Sequence, residues 1–429
     1  MAATETKVPV DELQEIVGAA NVREASGGDA IDGVAPSHVV EPGTTEEVSG
    51  VLALANERGL GVAPRGAGTK LSLGNVPSRL DLIVSLSRMD EVVEHVPGDQ
   101  IIRVQAGLPL SELLDRIKGS DQILALDPPE RKLGATMGGL VAANSSGPRR
   151  LRYGTVRDLI IGITIVLADG TIAKAGGKVV KNVAGYDLSK LFTGSSGALG
   201  VITETNFRLH PLPEAARTIA VDLDDASRAG EASQEIMKSS VEPSSCELHW
   251  RSGRGTLSVL IEGIDPGVEA QSETITQILQ GFGETRSLSD EEADSLGPEE
   301  PPRTGDDEVA LKISAFPAGL THVLQTVERA ADGSGLECRI VASAASGVAQ
   351  VGLSGGGEEA QASAIQEVRD HVVGEYAGGS VTVWRAPAGV KRRVETWGPA
   401  GDKEVLIRRV KERFDPRATM SPGRFIGGM

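Results

Sequence analysis

Two cysteines in 429 residues, Cys246 and Cys338, lie far apart, which excludes a disulfide framework and a thiolate cluster able to hold iron and sulfur. If the protein handles electrons, another carrier must take them away. Basic residues are also in deficit. Forty-three Lys and Arg stand against 60 Asp and Glu, and the net charge of -17 works against binding nucleic acid or an anionic membrane surface while favouring solubility. The longest apolar run, Leu159 to Ala168, falls short of the roughly 20 residues a membrane span needs. The opening residues, MAATETKVPV, hold no apolar segment of signal-peptide type. The expectation is a soluble, cytoplasmic chain with no membrane span of its own. No internal repeat stands out. Six histidines, His38, His95, His210, His249, His322 and His371, are scattered with no spacing suited to a metal site.

What is present is glycine, at 53 positions, and enough apolar content, 40%, for more than one core. Single cores stop growing near about 250 to 300 residues, so two domains are expected. From Val39 to Leu209, short β-branched runs alternate with helical stretches, an α+β or α/β pattern. Thr44 and Glu47 form a capping-box pattern for a helix through Val48, Val51, Leu52 and Ala55 that ends at Gly59. Strands are expected at Leu60 to Ala63, Leu82 to Leu86, Glu91 to His95 and Ile101 to Gln105, and Pro109 opens a further helix. Asp169-Gly170 predicts a two-residue hairpin turn between Ile161 to Ala168 and Thr171 to Ala175. Pro211 and Pro213 close this region.

Beyond them, Leu257 to Ile261 and Ala310 to Ile313 read as strands, and Glu269 to Leu279 and Leu320 to Ala331 as helices, of a small α+β domain with an antiparallel sheet. Ser287 to Glu308 is rich in Asp, Glu, Pro and Gly and reads as a mobile surface loop. A last helix is expected from Lys403 to Phe414, with Val405, Leu406, Ile407, Val410 and Phe414 at helical spacing. The chain divides on this reading at 1–213, 214–395 and 396–429.

Three separated glycine-rich turns carry the chemistry: PRGAGTK at Pro64 to Lys70, GATMGGLVAANSSGPRR at Gly134 to Arg150, and GYDLSKLFTGSSGALGVI at Gly185 to Ile202. In the first, Gly66 and Gly68 permit positive φ and close approach of oxygen atoms, Thr69 adds a hydroxyl, and Arg65 or Lys70 adds positive charge. A tight strand-to-helix turn explains that loop alone about as well. In the second, small side chains let a backbone or ring lie flat, although such rows also mark close helix-to-sheet packing. Taken together, the turns suit one extended phosphate-bearing molecule whose charge is met by main-chain N–H groups. A bulky residue at Gly68 is expected to collide with its diphosphate. Asp187 and Lys190, beside Tyr186, read better as a helix cap and an ion-pair partner than as ligand contacts.

PRGAGTK, a PP followed by GATMGG with Asn144 and Gly147, YGTVRD, and KNVAGYDLSKLFTGSSGALGVITE resemble the flavin-binding half of the vanillyl-alcohol-oxidase, or PCMH-type, flavoproteins. Within that family, GPRR at Gly147 to Arg150 and KNVAGYDL at Lys181 to Leu188 are most similar to the FAD-binding subunits of bacterial glycolate oxidases. The resemblance is strong from Val39 to Pro213, moderate over Lys411 to Phe425 and weak between. It implies an α+β fold: a PCMH-type FAD-binding unit of two α+β subdomains, a smaller α+β cap, and a C-terminal segment that returns to the FAD unit. Carried over residue by residue, Pro64, Arg65, Gly66, Ala67, Gly68, Thr69 and Lys70 would wrap the diphosphate of FAD. Pro129, Thr136, Gly138, Gly139, Asn144 and Gly147 would line the flavin side, and Gly200, Val201 and Ile202 would offer backbone contacts. PRGAGTK has no histidine for covalent attachment, so non-covalent FAD is expected.

Oxidation of a small 2-hydroxy acid by flavin needs a hydride acceptor, a base for the hydroxyl proton, and a cation for the carboxylate. The resemblance implies that catalytic relatives among the D-2-hydroxy-acid dehydrogenases, including the partner flavin subunit of glycolate oxidase, carry a histidine-rich metal-binding motif in the cap, and the six histidines here have no such spacing. His249 is the best single base candidate, with Tyr376 and Arg385 as further polar candidates, and a packing or surface role outweighs catalysis for each. Three readings stay open. The chain is the FAD-binding subunit of a glycolate oxidase complex with a second flavoprotein subunit and an iron–sulfur subunit, cytoplasmic or held at the inner membrane through those partners. Alternatively it is a stand-alone FAD-dependent D-2-hydroxy-acid dehydrogenase, or a structural flavin subunit with no redox role.

Overall fold

The computed structural model describes residues 8–177, 187–296, 307–375 and 379–429. At the N-terminal end, local signals set the elements. α1 (Val10–Val17) buries Leu13 and Val17, and β1 (Val22–Glu24) and β2 (His38–Val40) pair antiparallel. In α2 (Thr45–Arg58), the Thr44 hydroxyl accepts from the Glu47 amide at 3.0 Å, and Gly59 takes the left-handed conformation that stops the helix, φ 69°. The Glu47 carboxylate accepts from Gly43 N at 2.7 Å, one residue earlier than a full capping box would place it. β3 (Val62–Arg65) and β4 (Leu82–Ser85) complete a four-stranded sheet, order β1-β2-β4-β3, in which β2, β4 and β3 run parallel.

A second, wholly antiparallel sheet follows. β5 (Val92–Val96) and β6 (Ile101–Gln105) lead to α3 (Leu110–Ile117), whose fixed N-cap is Pro109, and to the short β7 (Gln122–Ile123). Next come α4 (Met137–Ala143), α5 (Arg150–Tyr153), α6 (Val156–Leu159), β8 (Ile160–Val166), β9 (Ile172–Gly176), α7 (Leu188–Phe192), β10 (Val201–Arg208) and β11 (His210–Pro211). The order is β5-β6-β10-β8-β9, with β11 on β7. The β8–β9 hairpin forms, but Leu167 N donates to Thr171 O at 2.9 Å, which makes the turn one residue longer than the Asp169-Gly170 pair predicts. One apolar core joins these two sheets, from Leu13 and Leu52 to Phe192 and Phe207.

Two residues past Pro213 begins an eight-stranded antiparallel sheet. Its elements in chain order are β12 (Ala215–Leu223), α8 (Ala226–Lys238), β13 (Ser245–Arg251), β14 (Arg254–Gly263), α9 (Asp265–Gln280), β15 (Thr285–Leu288), α10 (Asp290–Ser295), β16 (Val309–Ser314), α11 (Leu320–Gly333), β17 (Glu337–Ser343), β18 (Val348–Ser354), α12 (Gly357–Glu375) and β19 (Ser380–Arg385). The strand order is β15-β12-β14-β13-β17-β18-β16-β19. Alternation decides its faces: Cys246, Leu248 and Trp250 of β13 and Val309, Leu311 and Ile313 of β16 join a core with the helices, which leaves Glu247 and Lys312 on the opposite face. That opposite face meets the first half of the chain, where Leu73, Ala310 and Trp384 pack together with Ala143 and Trp397.

Two expectations need correction. Residues 287–296 are not loop: Thr285–Leu288 adds a strand to β12, and Ser289 and Glu292 form a reciprocal capping box that opens α10, so local hydrogen bonding replaces the apolar burial the segment lacks. Residues 297–306, the rest of that acidic segment, lie outside the described residues. After α13 (Ala388–Lys391), the last helix, α14 (Lys403–Phe414), has the expected ends but not the expected buried stripe. Val405 and Leu406 are exposed, and the buried residue is Lys411. Val410 and Phe414 alone of the stripe pack on the core, the Phe414 ring edge-on to Phe192 at 5.8 Å. Beyond α14 the chain returns to β3: Val62 N donates to Thr419 O at 2.8 Å and Ser421 N to Val62 O at 2.7 Å.

Candidate cofactor site

The three glycine-rich turns meet in one cleft. Pro64 to Lys70, Thr136, Gly138, Gly139, Gly200 and Ile202 all line it, as do Leu71, Leu73, Leu86, Ala142, Ala143, Ser195, Ser196, Gly197 and Arg424. Leaving β3, the chain turns sharply through Gly66 to Thr69, and none of these four amides donates to an acceptor among the described residues. Consecutive unspent N–H groups in a turn form an anion-binding nest.

The side-chain charges of this turn are already matched. Arg65 donates to Asp29 at 2.7 Å, and Asp29 also takes two hydrogen bonds from Arg23. Those from Arg23 first, and then Arg65, prevail over burial and hold the Asp29 carboxyl far below its ordinary value. Lys70 pairs with Glu130, which is fully buried and accepts from Ser145 Oγ at 2.7 Å. Burial opposes the Glu130 charge, yet Lys70 and Ser145 outweigh it and lower its pKa. Among the described residues the donors of this turn that have no partner are therefore main-chain amides, while Arg65 and Lys70 line the cleft already paired.

Opposite the turn, α4 begins at Thr136, whose hydroxyl accepts from Gly139 N at 3.4 Å. A Cβ on Gly66 would meet that hydroxyl at 2.1 Å, so the two walls touch through a position that only glycine fits. The third wall, Gly194 to Gly197, is tied to the end of α4 by Gly194 N to Val141 O (2.9 Å) and Ser196 N to Ala142 O (2.8 Å). The Ser195 and Ser196 hydroxyls are buried with no partner among the described residues, and both line the cleft. Arg424, from the C-terminal return, is buried and holds the carbonyls of Leu71 and Leu73, while burial brings its pKa down to about 10. Unspent amides and two orphaned hydroxyls are the donor set that a diphosphate and the polar edge of a flavin accept from, so the residues fit FAD.

Four expected contacts lie elsewhere. Val201 is wholly buried in β10, paired with Val166. Asn144 is the left-handed cap of α4, φ 48°, and its buried Oδ1 has no partner among the described residues. Gly147 is glycine already because its Cβ would lie 1.9 Å from the Asp127 carbonyl. Pro129 lines a separate cleft against the eight-stranded sheet. His249 sits with Arg251, Arg254 and Arg339 at another hollow, and Arg385 faces Glu308 at 3.5 Å, so neither reaches the cleft. Tyr376, Tyr186 and most of KNVAGYDL, residues 181–186, lie outside the described residues. Asp187 caps α7 as expected, but Lys190 reaches the carbonyls of Arg157 and Ile160 rather than a carboxylate.

The residues that sequence reading missed include Ser195 and Ser196, flagged by Gly-Ser-Ser-Gly, and a cation cluster with no sequence signal. Lys70 Nζ lies 3.9 Å from the centre of the Trp384 ring, and Lys312 Nζ lies 5.1 Å from it. Burial, then Arg150 and Lys70, push the Lys312 ammonium down to about 8 from an ordinary 10.5. Below pH 8 both the folded and unfolded chain hold this proton, and the cost of the desolvated charge is present in full. Between about 8 and 10.5 only the unfolded chain holds it, so stability gains a term that rises with pH. Denaturant titrations from pH 7 to 10 are expected to show this rise as the difference between wild type and Lys312→Met. A flat difference would contradict it.

Comparison with known proteins agrees with this geometry. Residues 36–176 match the family model described as FAD binding domain. A 213-residue stretch is 34% identical to glycolate oxidase subunit GlcD of Bacillus subtilis, covering 50% of this chain and 45% of that protein. A 174-residue stretch is 41% identical to D-lactate dehydrogenase of Archaeoglobus fulgidus, covering 40% and 38%. The chain thus spans less than half the length of these two relatives. The fold is shared more widely: p-cresol methylhydroxylase, at 18% identity, superposes with a TM-score of 0.75 over 97% of this chain and 95% of that one. Residues 36–176 thus match the FAD binding domain family, and the chain as a whole has the fold of p-cresol methylhydroxylase.

Proposed function

We propose that this chain is the FAD-binding subunit of a complex that oxidises a small 2-hydroxy acid, glycolate in the first instance, and passes the electrons to a partner iron–sulfur subunit. The division 1–213 for the FAD unit, 214–395 for a cap over it and 396–429 for the returning segment belongs to the same reading. The observation that carries it is the cleft itself, where the unspent amides of Gly66 to Thr69, inside the segment that matches the FAD binding domain, meet the Ser195 and Ser196 hydroxyls, which have no partner among the described residues. Gly66 to Thr69 would hold the diphosphate, and Thr136, Gly138, Gly139, Ser195, Ser196, Gly200 and Ile202 the rest of the cofactor. Bound FAD would supply the hydride acceptor. The chain's own residues hold and orient: Arg424 fixes the Leu71 and Leu73 carbonyls, and Leu73, Trp384 and Ala143 keep water from that end of the cleft.

Onward transfer needs a partner. Cys246 and Cys338 are the only thiols, and burial pushes them up to about 12 and about 11, so neither offers the thiolate an iron–sulfur cluster requires. Among the described residues no helix is long and apolar enough to cross a membrane. A cytoplasmic place, or one at the membrane through partners, follows from the same reading.

Purified alone, the chain is expected to carry non-covalent FAD. Anaerobic glycolate should bleach the flavin spectrum only when a second flavoprotein subunit and an iron–sulfur subunit are co-expressed. The similarity to D-lactate dehydrogenase favours a second reading, a dehydrogenase complete in one chain, and bleaching of the lone chain by D-lactate would select it. Colourless protein that takes up no FAD in its folded state would end both.

A further inference from the structure

Three cations converge where the cleft meets the eight-stranded sheet, in a protein whose net charge is -17. Lys70 is matched by Glu130. Arg150 spends its Nε and Nη2 on the carbonyls of Gly147 and Ser146. Lys312 has neither arrangement. On β16 its register neighbours are Gln350 of β18 and Thr382 of β19, both uncharged, and among the described residues no carboxylate lies within ion-pair distance of its ammonium. The nearest matching charge in its field is Glu130, which Lys70 already holds.

Two other carboxyls border the cluster on the Arg150 side. Asp127 is pushed up to about 6, first by burial, accepts from the Arg149 amide and faces Arg149 and Arg150, while burial raises Glu247 well above its ordinary value and draws it toward its neutral form. The Trp384 face does not fully compensate Lys312. A ring face offers a cation only partial compensation, and Lys70 already occupies the closer position on the same ring. Lys312 is half-buried, and its ammonium is left beside two further cations with no carboxylate within ion-pair distance among the described residues. Such a group is explained when the counter-charge arrives with a ligand. Trp384 packs with Leu73 and Trp397, and Lys70 and Leu73 also line the cofactor cleft, so the ligand would lie at that end of the cleft.

We propose that Lys312 anchors the carboxylate of a small monocarboxylic acid against Trp384, with Arg150 adding to the attracting field. The assignment rests on the 2-hydroxy-acid reading above and adds to it the residue that selects the acid group. No bond is made or broken at Lys312; it is a positioning residue, and the oxidised carbon belongs next to it.

The test uses the FAD-loaded full chain and its co-expressed assembly, titrated at pH 7 with propionate and oxamate, which carry a carboxylate but no oxidisable hydroxyl. Binding is read from the perturbed flavin spectrum and by calorimetry. Wild type is expected to saturate. Lys312→Met should raise the Kd at least about tenfold, the loss of one charge-assisted contact, and Lys312→Arg should return it to within about threefold, with equal FAD per chain in all three. Binding by Lys312→Met as tight as wild type would overturn the anchor while leaving the redox reading intact. Equal weakening in both variants would assign Lys312 to packing and overturn it as well. Lys312-dependent binding with no flavin reduction by any 2-hydroxy acid would uphold the anchor and sink the oxidation.

Discussion

Gly66→Ala is expected to fold and to lose its flavin. The added Cβ would sit 2.1 Å from Thr136 Oγ1 and 3.2 Å from both the Cβ and the Cγ2 of the same side chain, so every rotamer of the threonine leaves a branch in the way. The turn must then retreat from α4, and the amides of Gly66 to Thr69 move off the line they share with the third wall. Overpacking of this kind costs roughly 1–3 kcal/mol, which lowers FAD affinity about ten- to a hundredfold if it is spent on opening the cleft. Gly68, the position that the sequence favours for such a test, is less informative: its Cβ would meet only Leu71 Cδ1 at 3.4 Å, and the cost there is the strain of φ 79°. Equilibrium dialysis against FAD checks the ranking. The double variant Gly66→Ala, Thr136→Ala should recover part of the affinity, because it removes the colliding hydroxyl at the price of a helix cap worth about 1 kcal/mol. Unchanged affinity in Gly66→Ala would show that contact between the two walls does not set the cleft.

How far the sequence could be read depended on how local the cause was. α2 was legible because Thr44, Glu47 and Gly59 act within one turn of it, and the β8–β9 hairpin because Asp169-Gly170 turns itself. Residues 64–70 could be placed in a cleft only because two further glycine-rich turns accompany them, since a tight turn explains that loop alone about as well. At Gly147 and Asn144 the same reasoning could not see that the backbone by itself already calls for a glycine and a left-handed residue. Glu130, read past in PPERK, proved to be the buried partner of Lys70. Lys312, Trp384 and Arg424 could not be found from pattern. Each lies more than 240 residues beyond the first glycine turn, on a strand or tail whose local sequence says only that it alternates or turns, and only the packing of the eight-stranded sheet and the C-terminal return brings them to the cleft. Lys411 shows the inverse error: five apolar residues in α14 suggested a buried stripe, while the residue the protein buries is the charged one.

That buried charge leads to the other large effect. Lys411 Nζ donates to Asp415 at 2.6 Å, to Ala198 O at 2.7 Å and to Met420 O at 2.8 Å, so its three protons are all used. Asp415 in turn accepts from the amides of Thr419 and Met420, both at 2.8 Å. The pair is almost sealed, with side chains 5% and 0% exposed. It joins three things: the end of α14, the Ala198 end of the third wall, and the segment that lies along β3 and delivers Arg424. Burial alone lowers the Lys411 pKa, and Asp415 only partly offsets this, so the knot holds because every polar atom in it has a partner. Lys411→Met leaves Asp415 charged and buried with amides alone, a change that typically costs about 3–5 kcal/mol. Urea unfolding should show that loss, and FAD affinity should fall with it, since Arg424 and the Ser195–Ser196 wall lose a common support. Adding Asp415→Asn removes the stranded charge while keeping an acceptor for one amide, and the double variant should be more stable than Lys411→Met alone. If instead Lys411→Met unfolds within about 1 kcal/mol of wild type, the C-terminal return is held by its apolar contacts and its bonds to Val62, and the ion pair is incidental to the cleft.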